Sequence, residues 1–247
     1  MVHGKKIDGF HLKVIAVSAM LINHIGILFE WGQGTQMLPF FAISEFVGRF
    51  TFPIMAYLLV EGCHYSKNLK KYVLRLTTFW IISIYPFYLL HNQDYSFSIT
   101  DVPNNIFFTL LMGLLMMIYY GKTKNSVLHF FIVILFAAFS ILSDWNVVGV
   151  LLIWALYKFH NDKGIKITML VYFVLFEVLS IIGLLYSTNT LAYIVELISP
   201  FGFLAVGYIL LHYNGKRGYS PNWVKWGFYA FYPVHIIVLE VIRYLIL

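Results

Sequence analysis

Apolar residues follow one another in long runs along this chain, and short polar stretches separate the runs. Runs of this length are typical of helices that lie within a lipid bilayer, because such helices need few polar positions. They predict about nine helical segments, at roughly 10–30, 46–64, 72–90, 104–120, 126–143, 146–159, 166–186, 190–212 and 225–246. The predicted fold class is therefore all-α. We expect a polytopic membrane helix bundle of about nine transmembrane helices, in a single domain over residues 1–247.

Composition supports a membrane protein, since 60% of the residues are hydrophobic and only 11% are charged. Soluble domains carry roughly a quarter charged residues. The segment at 146–159 is short, so it and the preceding segment either cross fully or form a hairpin that crosses in part. No loop is long enough to fold alone, and no small-residue cleavage site follows the first apolar run. We therefore expect neither a soluble domain nor a cleavable signal peptide.

The basic residues predict the orientation. All of the 17 Lys and Arg residues except Arg49 and Arg243 lie at or between the predicted segments on one side. The opposite loops are predicted to carry acidic residues instead: Glu30, Glu45, Asp94, Asp101 and Asp144. The positive-inside rule then predicts a cytoplasmic N-terminus and an external C-terminus. The net charge of +6 is a topology signal, and nucleic-acid binding is not expected.

The densest basic stretch is KNLKKYVLR at residues 67–75, which contains Lys67, Lys70, Lys71 and Arg75. Two interpretations stay open for it. These side chains either hold the phosphates of a soluble ligand or contact anionic lipid headgroups.

Polar residues inside the apolar segments are the candidates for chemistry, because such groups are costly at membrane depth. Asn23 and His24 lie in the first segment. At 1.5 Å per residue, His24 lies about 21 Å from the predicted start at Phe10, and Arg49 lies about 22 Å from the cytoplasmic end of the second segment. The two residues therefore share a depth on adjacent antiparallel helices. His235 lies about 14 Å into the last segment.

Structural interpretations compete with each of these assignments. His24 and His235 are also explained by hydrogen bonds that fix helix packing, and Arg49 by snorkelling to the external headgroups. Glu61 and His64, three residues apart at a helix end, are explained by solvation at the interface. Asn23 points about 100° away from His24 around the helix axis, so the two side chains do not lie on the same helix face.

Soluble enzyme signatures are missing from the sequence. It contains no GxSxG elbow, Walker loop, HExxH or CxxC. His24 and His64 are predicted at opposite depths, so no metal site is expected. The single cysteine, Cys63, has no partner for an internal disulfide.

Several stretches resemble the TraX family over nearly the whole chain and in the expected order. They are DGFHLKVIAVSAMLINHIG, GRFTFPIMAYLLVEGCHYSKNLKKYVLRL, NNIFFTLLMGLL, SDWNVVGVLLI and FYAFYPVHIIVLEVIR. The resemblance implies N-acetylation of the kind described for F-pilin, at a bacterial plasma (inner) membrane. The family is distantly similar to membrane acyltransferases of the acyltransferase-3 type and to heparan-α-glucosaminide N-acetyltransferase. Those enzymes use a histidine in a membrane cavity and an acyl-coenzyme A donor.

The resemblance predicts an acetyl- or acyltransferase that uses acetyl-coenzyme A and no metal. His24 would act as general base or would briefly carry the acyl group. Asn23 or Arg49 would stabilise the oxyanion, and His235 would form a second polar wall. Lys67, Lys70, Lys71 and Arg75 would hold coenzyme A. The acceptor stays open among a peptide N-terminus, a glycan and a lipid, and the other expected partners are membrane lipids. A proton-coupled transporter and a structural or assembly protein are the alternatives.

Overall fold

The fold is all-helical, as predicted. The computed structural model describes residues 6–28, 38–91, 96–186 and 195–246. Within these ranges the only β pairing is an isolated parallel bridge between Ile7 and Tyr213. The helices are α1 (Gly9–Leu28), α2 (Leu38–Gly48), α3 (Thr51–Tyr65), α4 (Leu69–His91), α5 (Ile106–Tyr120), α6 (Ser126–Phe139), α7 (Asn146–Lys158), α8 (Asp162–Tyr186), α9 (Phe201–Leu211) and α10 (Asn222–Ile246). A 3-10 turn at Ile99–Asp101 precedes α5.

Five helical stretches in the described residues are long and apolar enough to cross a bilayer. They are Gly9–Leu28, Leu38–Tyr65, Leu69–His91, Asp162–Tyr186 and Asn222–Ile246. The other apolar helices, of 10–17 residues, are Ile106–Tyr120, Ser126–Phe139, Asn146–Lys158 and Val195–Leu211. These stretches overlap the nine predicted segments in order. The chain is therefore a membrane protein, with five clear candidates for full spans.

The second predicted segment begins too late. Helix α2 starts at Leu38 and joins α3 through a turn at Arg49 and Phe50. Glu45, which was predicted in an external loop, therefore lies within α2. The helix accommodates the polar residues at 44 and 45 because their side chains are hydrogen bonded. Glu30, Asp94 and the basic Lys5 lie outside the described residues.

The chain divides into two compact units, and each is described by itself. The first unit comprises Met1–Ile54, Asn161–Phe228 and Val241–Leu247, and the second comprises Met55–His160 and Tyr229–Glu240. In the first unit α1 packs on α2, and α9 packs on both α8 and α2. Two glycines allow this approach. A Cβ on Gly48 would lie 2.6 Å from the Asn23 side chain, and one on Gly202 would lie 2.6 Å from the Phe46 carbonyl oxygen.

The start of α1 is fixed by the carboxylate of Asp8. One oxygen, Oδ1, accepts hydrogen bonds from the backbone N–H groups of Phe10 at 2.9 Å and His11 at 3.0 Å, as an N-terminal helix cap does. The same oxygen lies 2.8 Å from the His11 Nδ1 atom. These contacts, of which the His11 backbone N–H is the strongest, hold the pKa of Asp8 below its usual value.

The second unit is built on α5, which packs against α4, α6 and α7. Asn105 caps α5 by accepting from the Phe107 backbone N–H at 3.1 Å, and its amide donates to the Trp80 carbonyl of α4 at 3.2 Å. The Thr109 and Ser143 hydroxyls, 2.7 Å apart, tie α5 to the turn that joins α6 and α7. The apolar helices are thereby locked through paired polar side chains, as buried polar groups require.

Candidate functional site

Asn23 binds the neighbouring helix rather than facing open space. Its amide Nδ2 donates to the Glu45 Oε1 atom at 2.9 Å and to the Ser44 carbonyl oxygen at 3.3 Å. A carboxylate can only accept, so the amide nitrogen must face Glu45. Gly48, one turn beyond Ser44, leaves the room that the Asn23 side chain occupies. Asn23 therefore holds an acidic side chain of α2 in place inside a membrane-length helix.

Arg49 lies in the turn between α2 and α3 and is paired within the first unit. Its Nε donates to the Ser199 hydroxyl at 3.2 Å, and an Nη atom lies 3.5 Å from the Glu196 carboxylate. Its guanidinium also lies 5.1 Å from the centre of the Phe176 ring. Its own backbone N–H donates to the Glu45 carbonyl at 3.3 Å. Asn23 and Arg49 thus meet at Glu45, and together with Glu196 and Ser199 they form what we call the intramembrane network.

His24 lies next to this network on α1 and is buried, with 7% of its surface exposed. Gly26, half a turn further along the helix, is also buried. His24, Asn23 and Arg49 all lie in the first unit. The functional roles assigned to them stay predictions.

His235 belongs to the second unit and is buried in α10. Its Nδ1 atom lies 2.7 Å from the Phe231 carbonyl oxygen, and its ring stacks on the Phe231 ring at 4.7 Å. Because a carbonyl only accepts, Nδ1 carries the proton and Nε2 carries the lone pair when the ring is neutral. The ring orientation and tautomer are therefore set by the helix itself.

The four predicted cofactor-binding residues divide into two environments. Lys67, Lys70 and Lys71 are exposed at the end of α3 and the start of α4. Arg75 is half-buried, with its guanidinium 5.2 Å from the centre of the Tyr72 ring and 5.9 Å from that of Tyr229. The lysines are free to meet a soluble anion, whereas Arg75 is held between aromatic rings.

A second polar cluster escaped the sequence prediction. His160, just beyond α7, places its Nε2 atom 2.8 Å from the Oε1 atom of Glu61 on α3. The ring of His64 lies 4.9 Å from that of His160 and stacks at 5.2 Å on the ring of Tyr157. We call Glu61, His64 and His160 the imidazole cluster. The signal was available, because the predicted topology puts His64 and residues 158–166 on the same basic side.

The partners of the intramembrane network had weaker signals. Glu45 was assigned to a loop, and nothing in the spacing of Glu196 or Ser199 pairs them with a residue 150 positions away. Such pairings depend on which helices become neighbours, and a single sequence does not contain that information. Among the described residues, no group of three or more His, Cys, Asp or Glu side chains is arranged to hold a metal ion.

Comparison with known families gives one match over almost the whole chain. The family model described as TraX protein matches residues 9–243. The chain belongs to the TraX family. This confirms the resemblance found in the sequence. The match spans both the intramembrane network and the imidazole cluster, so both lie within the TraX region.

One relative of this TraX-family chain is the probable fimbrial assembly protein FimC, serogroup H1, from Dichelobacter nodosus. It is 29% identical over 244 residues, and the alignment covers 94% of each protein. No solved structure matches the chain.

The two polar regions of this TraX-family protein offer different chemistry. The intramembrane network contains a guanidinium with five N–H donors, which can hold Glu196 and Ser199 and still donate to a developing oxyanion. The imidazole cluster contains two rings whose nitrogens can either donate or accept a proton, and a carboxylate that lies 2.8 Å from one of them.

Proposed function

We propose that this TraX-family protein is a membrane acyltransferase. It moves an acyl group, most simply acetyl, from coenzyme A to an acceptor hydroxyl or amine at or across the membrane. Membership of the family supports this, since N-acetylation is the activity that the family resemblance implies. No metal is needed, because a thioester is already activated and the reaction requires only proton transfer and oxyanion stabilisation.

The observation that carries the proposal is the intramembrane network. Two carboxylates, a guanidinium and an amide meet among apolar helices. Apolar side chains in their place would cost far less free energy in a membrane. This arrangement has no role in a helix bundle that serves only as an anchor. It does have a role in a reaction that develops negative charge on an acyl oxygen, because fixed donors in a dry site stabilise that charge strongly.

The proposed roles follow the chemistry of each side chain. His24 takes the acceptor's proton, or briefly carries the acyl group, while the acceptor oxygen or nitrogen bonds to the acyl carbon and the carbon–sulfur bond breaks. Arg49 stabilises the oxyanion. Asn23 holds Glu45, whose backbone carbonyl accepts from the Arg49 backbone N–H in the turn after α2.

The donor is proposed to bind at the basic end of the second unit. Coenzyme A is anionic and soluble, which suits Lys67, Lys70 and Lys71 as phosphate partners, with Arg75 behind them. The accompanying topology is about nine crossings, with this end and the N-terminus on the cytoplasmic side of a bacterial inner membrane.

Two other functions each have an observation in their favour. The fimbrial assembly name of the Dichelobacter nodosus relative favours an assembly role, and it supports a surface-fibre subunit as the acceptor of acyl transfer. A charged pair inside membrane helices also occurs in proton-coupled transporters. Neither alternative explains the basic end as directly as a coenzyme A donor does.

Binding and transfer test the proposal in two steps. A ligand that binds only the folded protein raises its melting temperature, by an amount that corresponds to about 2.7 kcal/mol at one hundred times Kd. We expect acetyl-coenzyme A to do so in detergent, and dephosphorylated pantetheine esters to do so far less. Labelled acetyl-coenzyme A incubated with the protein and cell-envelope fractions should then label an acceptor.

The His24→Ala variant should lose transfer by about a hundredfold or more, with its melting temperature measured alongside. A folded His24→Ala protein with full activity contradicts the role of His24. Absence of both the thermal shift and the transfer in the wild type contradicts the proposed function.

A further inference from the structure

Ser199 connects Arg49 to the turn that precedes α9. It is fully buried, with 0% of its surface exposed, and it lies between the helical residues 195–198 and the start of α9. Its backbone N–H donates to the Val195 carbonyl oxygen at 3.3 Å, and its own carbonyl accepts from the Gly202 N–H at 3.0 Å. The backbone on both sides therefore fixes the position of this side chain.

The hydroxyl of Ser199 has defined donor and acceptor roles. It has one proton, which it donates to the Glu196 carbonyl oxygen at 3.4 Å. The Nε–H group of Arg49 can only donate, and it donates to the Ser199 oxygen at 3.2 Å. The hydroxyl thus accepts from Arg49 while it donates to the backbone. A residue without a hydroxyl at position 199 removes the acceptor of this Nε–H group.

The Ser199 contact is the one that fixes the plane of the Arg49 guanidinium. Its length of 3.2 Å is within the ordinary range for N–H···O hydrogen bonds, whereas the 3.5 Å between Arg49 Nη2 and the Glu196 carboxylate is beyond it. The Phe176 ring faces the guanidinium but offers no directed acceptor. Because Nε lies in the guanidinium plane, the direction of its hydrogen bond sets how that plane is rotated.

A fixed guanidinium plane matters for the proposed stabilisation of the oxyanion. Nε faces Ser199 and Nη2 faces Glu196, so Nη1 is the nitrogen that can turn to a reacting acyl oxygen. The Arg49 side chain is 20% exposed, and the guanidinium is therefore not sealed inside the unit. A donor stabilises developing charge most when it is already in place, because it then does not have to reorient as the charge forms.

We propose that Ser199 is a positioning residue for acyl transfer. By accepting the Arg49 Nε–H, it holds the guanidinium with Nη1 directed to the acyl oxygen. This rests on the proposed function, in which Arg49 stabilises the oxyanion. Ser199 touches no reacting atom and takes no proton. The residues that carry this role, Arg49, Glu196 and Ser199, all lie in the first unit.

The chain contains a matched control in the same unit. Ser180 on α8 is a half-buried serine whose hydroxyl donates to the same Glu196 carbonyl oxygen, at 3.1 Å. A carbonyl oxygen has two lone pairs, so it can accept from both serines. Ser180→Ala therefore removes a hydrogen bond to the same acceptor but leaves the acceptor of the Arg49 Nε–H group in place.

Steady-state kinetics of acyl transfer test the proposal. We expect Ser199→Ala to lower kcat about tenfold to a hundredfold, because a misplaced donor stabilises the oxyanion less. KM for acetyl-coenzyme A should change less than about twofold, because the bound thioester carries no oxyanion before it reacts. Ser180→Ala should match the wild type in both constants. Ser199→Cys, whose sulfur is a weaker acceptor, should have a kcat between those of the wild type and Ser199→Ala.

A double variant separates positioning from general damage to the fold. Once Arg49→Met has removed the guanidinium, Ser199 has nothing to position. Adding Ser199→Ala to Arg49→Met should therefore lower kcat by less than about twofold further, whereas a purely structural role would multiply the two losses. Melting temperatures measured alongside show whether each protein stays folded. Ser199→Cys carries the same test if the alanine variant does not.

Equal kcat values for Ser199→Ala and Ser180→Ala would overturn the proposal, and so would losses that multiply in the double variant. A raised KM with an unchanged kcat in Ser199→Ala would also contradict it, because substrate binding would then be what Ser199 supports. Full activity of Arg49→Met would refute the roles of both Arg49 and Ser199 while acyl transfer itself stands. If the wild type transfers no acyl group, it is the proposed function that fails.

Discussion

The intramembrane network and the imidazole cluster both pair a carboxylate with a nitrogen donor, yet their chemistry differs. In the first unit the nitrogen groups are an amide and a guanidinium, whose N–H groups only donate. In the second unit they are imidazoles, whose ring nitrogens either donate or accept. Groups that only donate suit a network that holds position and charge, whereas groups that do both suit proton exchange. Removing a charge from the first should therefore cost stability, whereas removing the exposed His64 from the second should leave stability nearly unchanged.

The largest expected effect comes from closing the gap between α9 and α2. A Cβ at residue 202 would lie 2.6 Å from the Phe46 carbonyl oxygen and 2.7 Å from the Arg49 Cβ. We expect Gly202→Ala to lower the free energy of unfolding by about 3 kcal/mol, because backbone on one side leaves little room to relax. Gly207→Ala on the same helix is the control, since its Cβ would meet only the Met169 side chain at 3.3 Å.

Thermal unfolding of both variants in detergent measures the difference. Equal melting temperatures for the two variants would show that the Arg49 region is not tightly packed. The intramembrane network could then not be the region that contributes most to stability.

The next effect should come from removing the charge of Arg49. Arg49→Met leaves the carboxylates of Glu196 and Glu45 without their cation. Loss of one partner of a buried pair costs about 3–5 kcal/mol. Here the side chains of Arg49 and Glu196 are 20% and 35% exposed, so we expect about 2 kcal/mol. Arg49→Lys keeps the charge but loses the planar guanidinium that reaches both Ser199 and Glu196. It should lower the free energy of unfolding by about half as much as Arg49→Met.

The same unfolding measurement on His64→Ala sharpens the contrast between the two regions. It should differ from the wild type by less than about 1 kcal/mol, because His64 is exposed and its loss leaves no buried charge without a partner. A greater loss of stability in His64→Ala than in Arg49→Met would reverse the comparison.

The sequence predicted the helices well, because long apolar runs have few alternatives in a membrane protein. It also singled out Asn23, His24 and Arg49, since polar groups in such runs are rare. It missed why Asn23 is polar. The reason is Glu45, which was predicted in an external loop and lies in α2 instead. Helix α2 carries Ser44 and Glu45 because each is hydrogen bonded.

The imidazole cluster was missed for a different reason. Glu61 and His64 near a helix end have an adequate explanation in interfacial solvation, and His160 comes nearly a hundred positions later. Their contact exists because the end of α7 comes back to the end of α3 in the second unit. Topology limited the candidates to one side of the membrane, but it did not say which helix ends are neighbours.

A smaller effect is expected at the lysines beside the imidazole cluster. Changing Lys67, Lys70 and Lys71 together to Gln should raise KM for acetyl-coenzyme A about five- to tenfold, since each exposed charge contributes only about 0.2–1 kcal/mol. The effect on kcat should be small. Added salt should reduce the difference in KM between the triple variant and the wild type, because salt screens exposed charges.

Lys122 and Lys124, which follow α5 in the same unit, provide the control. Their double change to Gln keeps the triple variant's direction of charge change but leaves the 67–71 segment intact. If both variants raise KM equally, the basic charge acts only as a general field, and the donor position at α3 and α4 is wrong.

The smallest expected effect is at Asp8, and it tests whether a carboxylate–imidazole pair is by itself a sign of chemistry. In a His11→Gln background, Asp8→Ala should lower the free energy of unfolding by about 1 kcal/mol at pH 7 through loss of the α1 cap. The pKa of Asp8 is lowered in the folded protein. Its contribution is therefore present above the unfolded pKa of about 3.9 and lost as pH falls through the lower folded value. The stability difference between Asp8→Ala and the His11→Gln protein should accordingly shrink below about pH 4. Asp8→Asn, which can still cap the helix, should differ little in stability from the His11→Gln protein at pH 7.

Acyl transfer should be the same in all of these variants, because the Asp8–His11 pair serves a helix end. If Asp8→Ala also lost acyl transfer, a 2.8 Å contact between carboxylate and imidazole would no longer distinguish the two units.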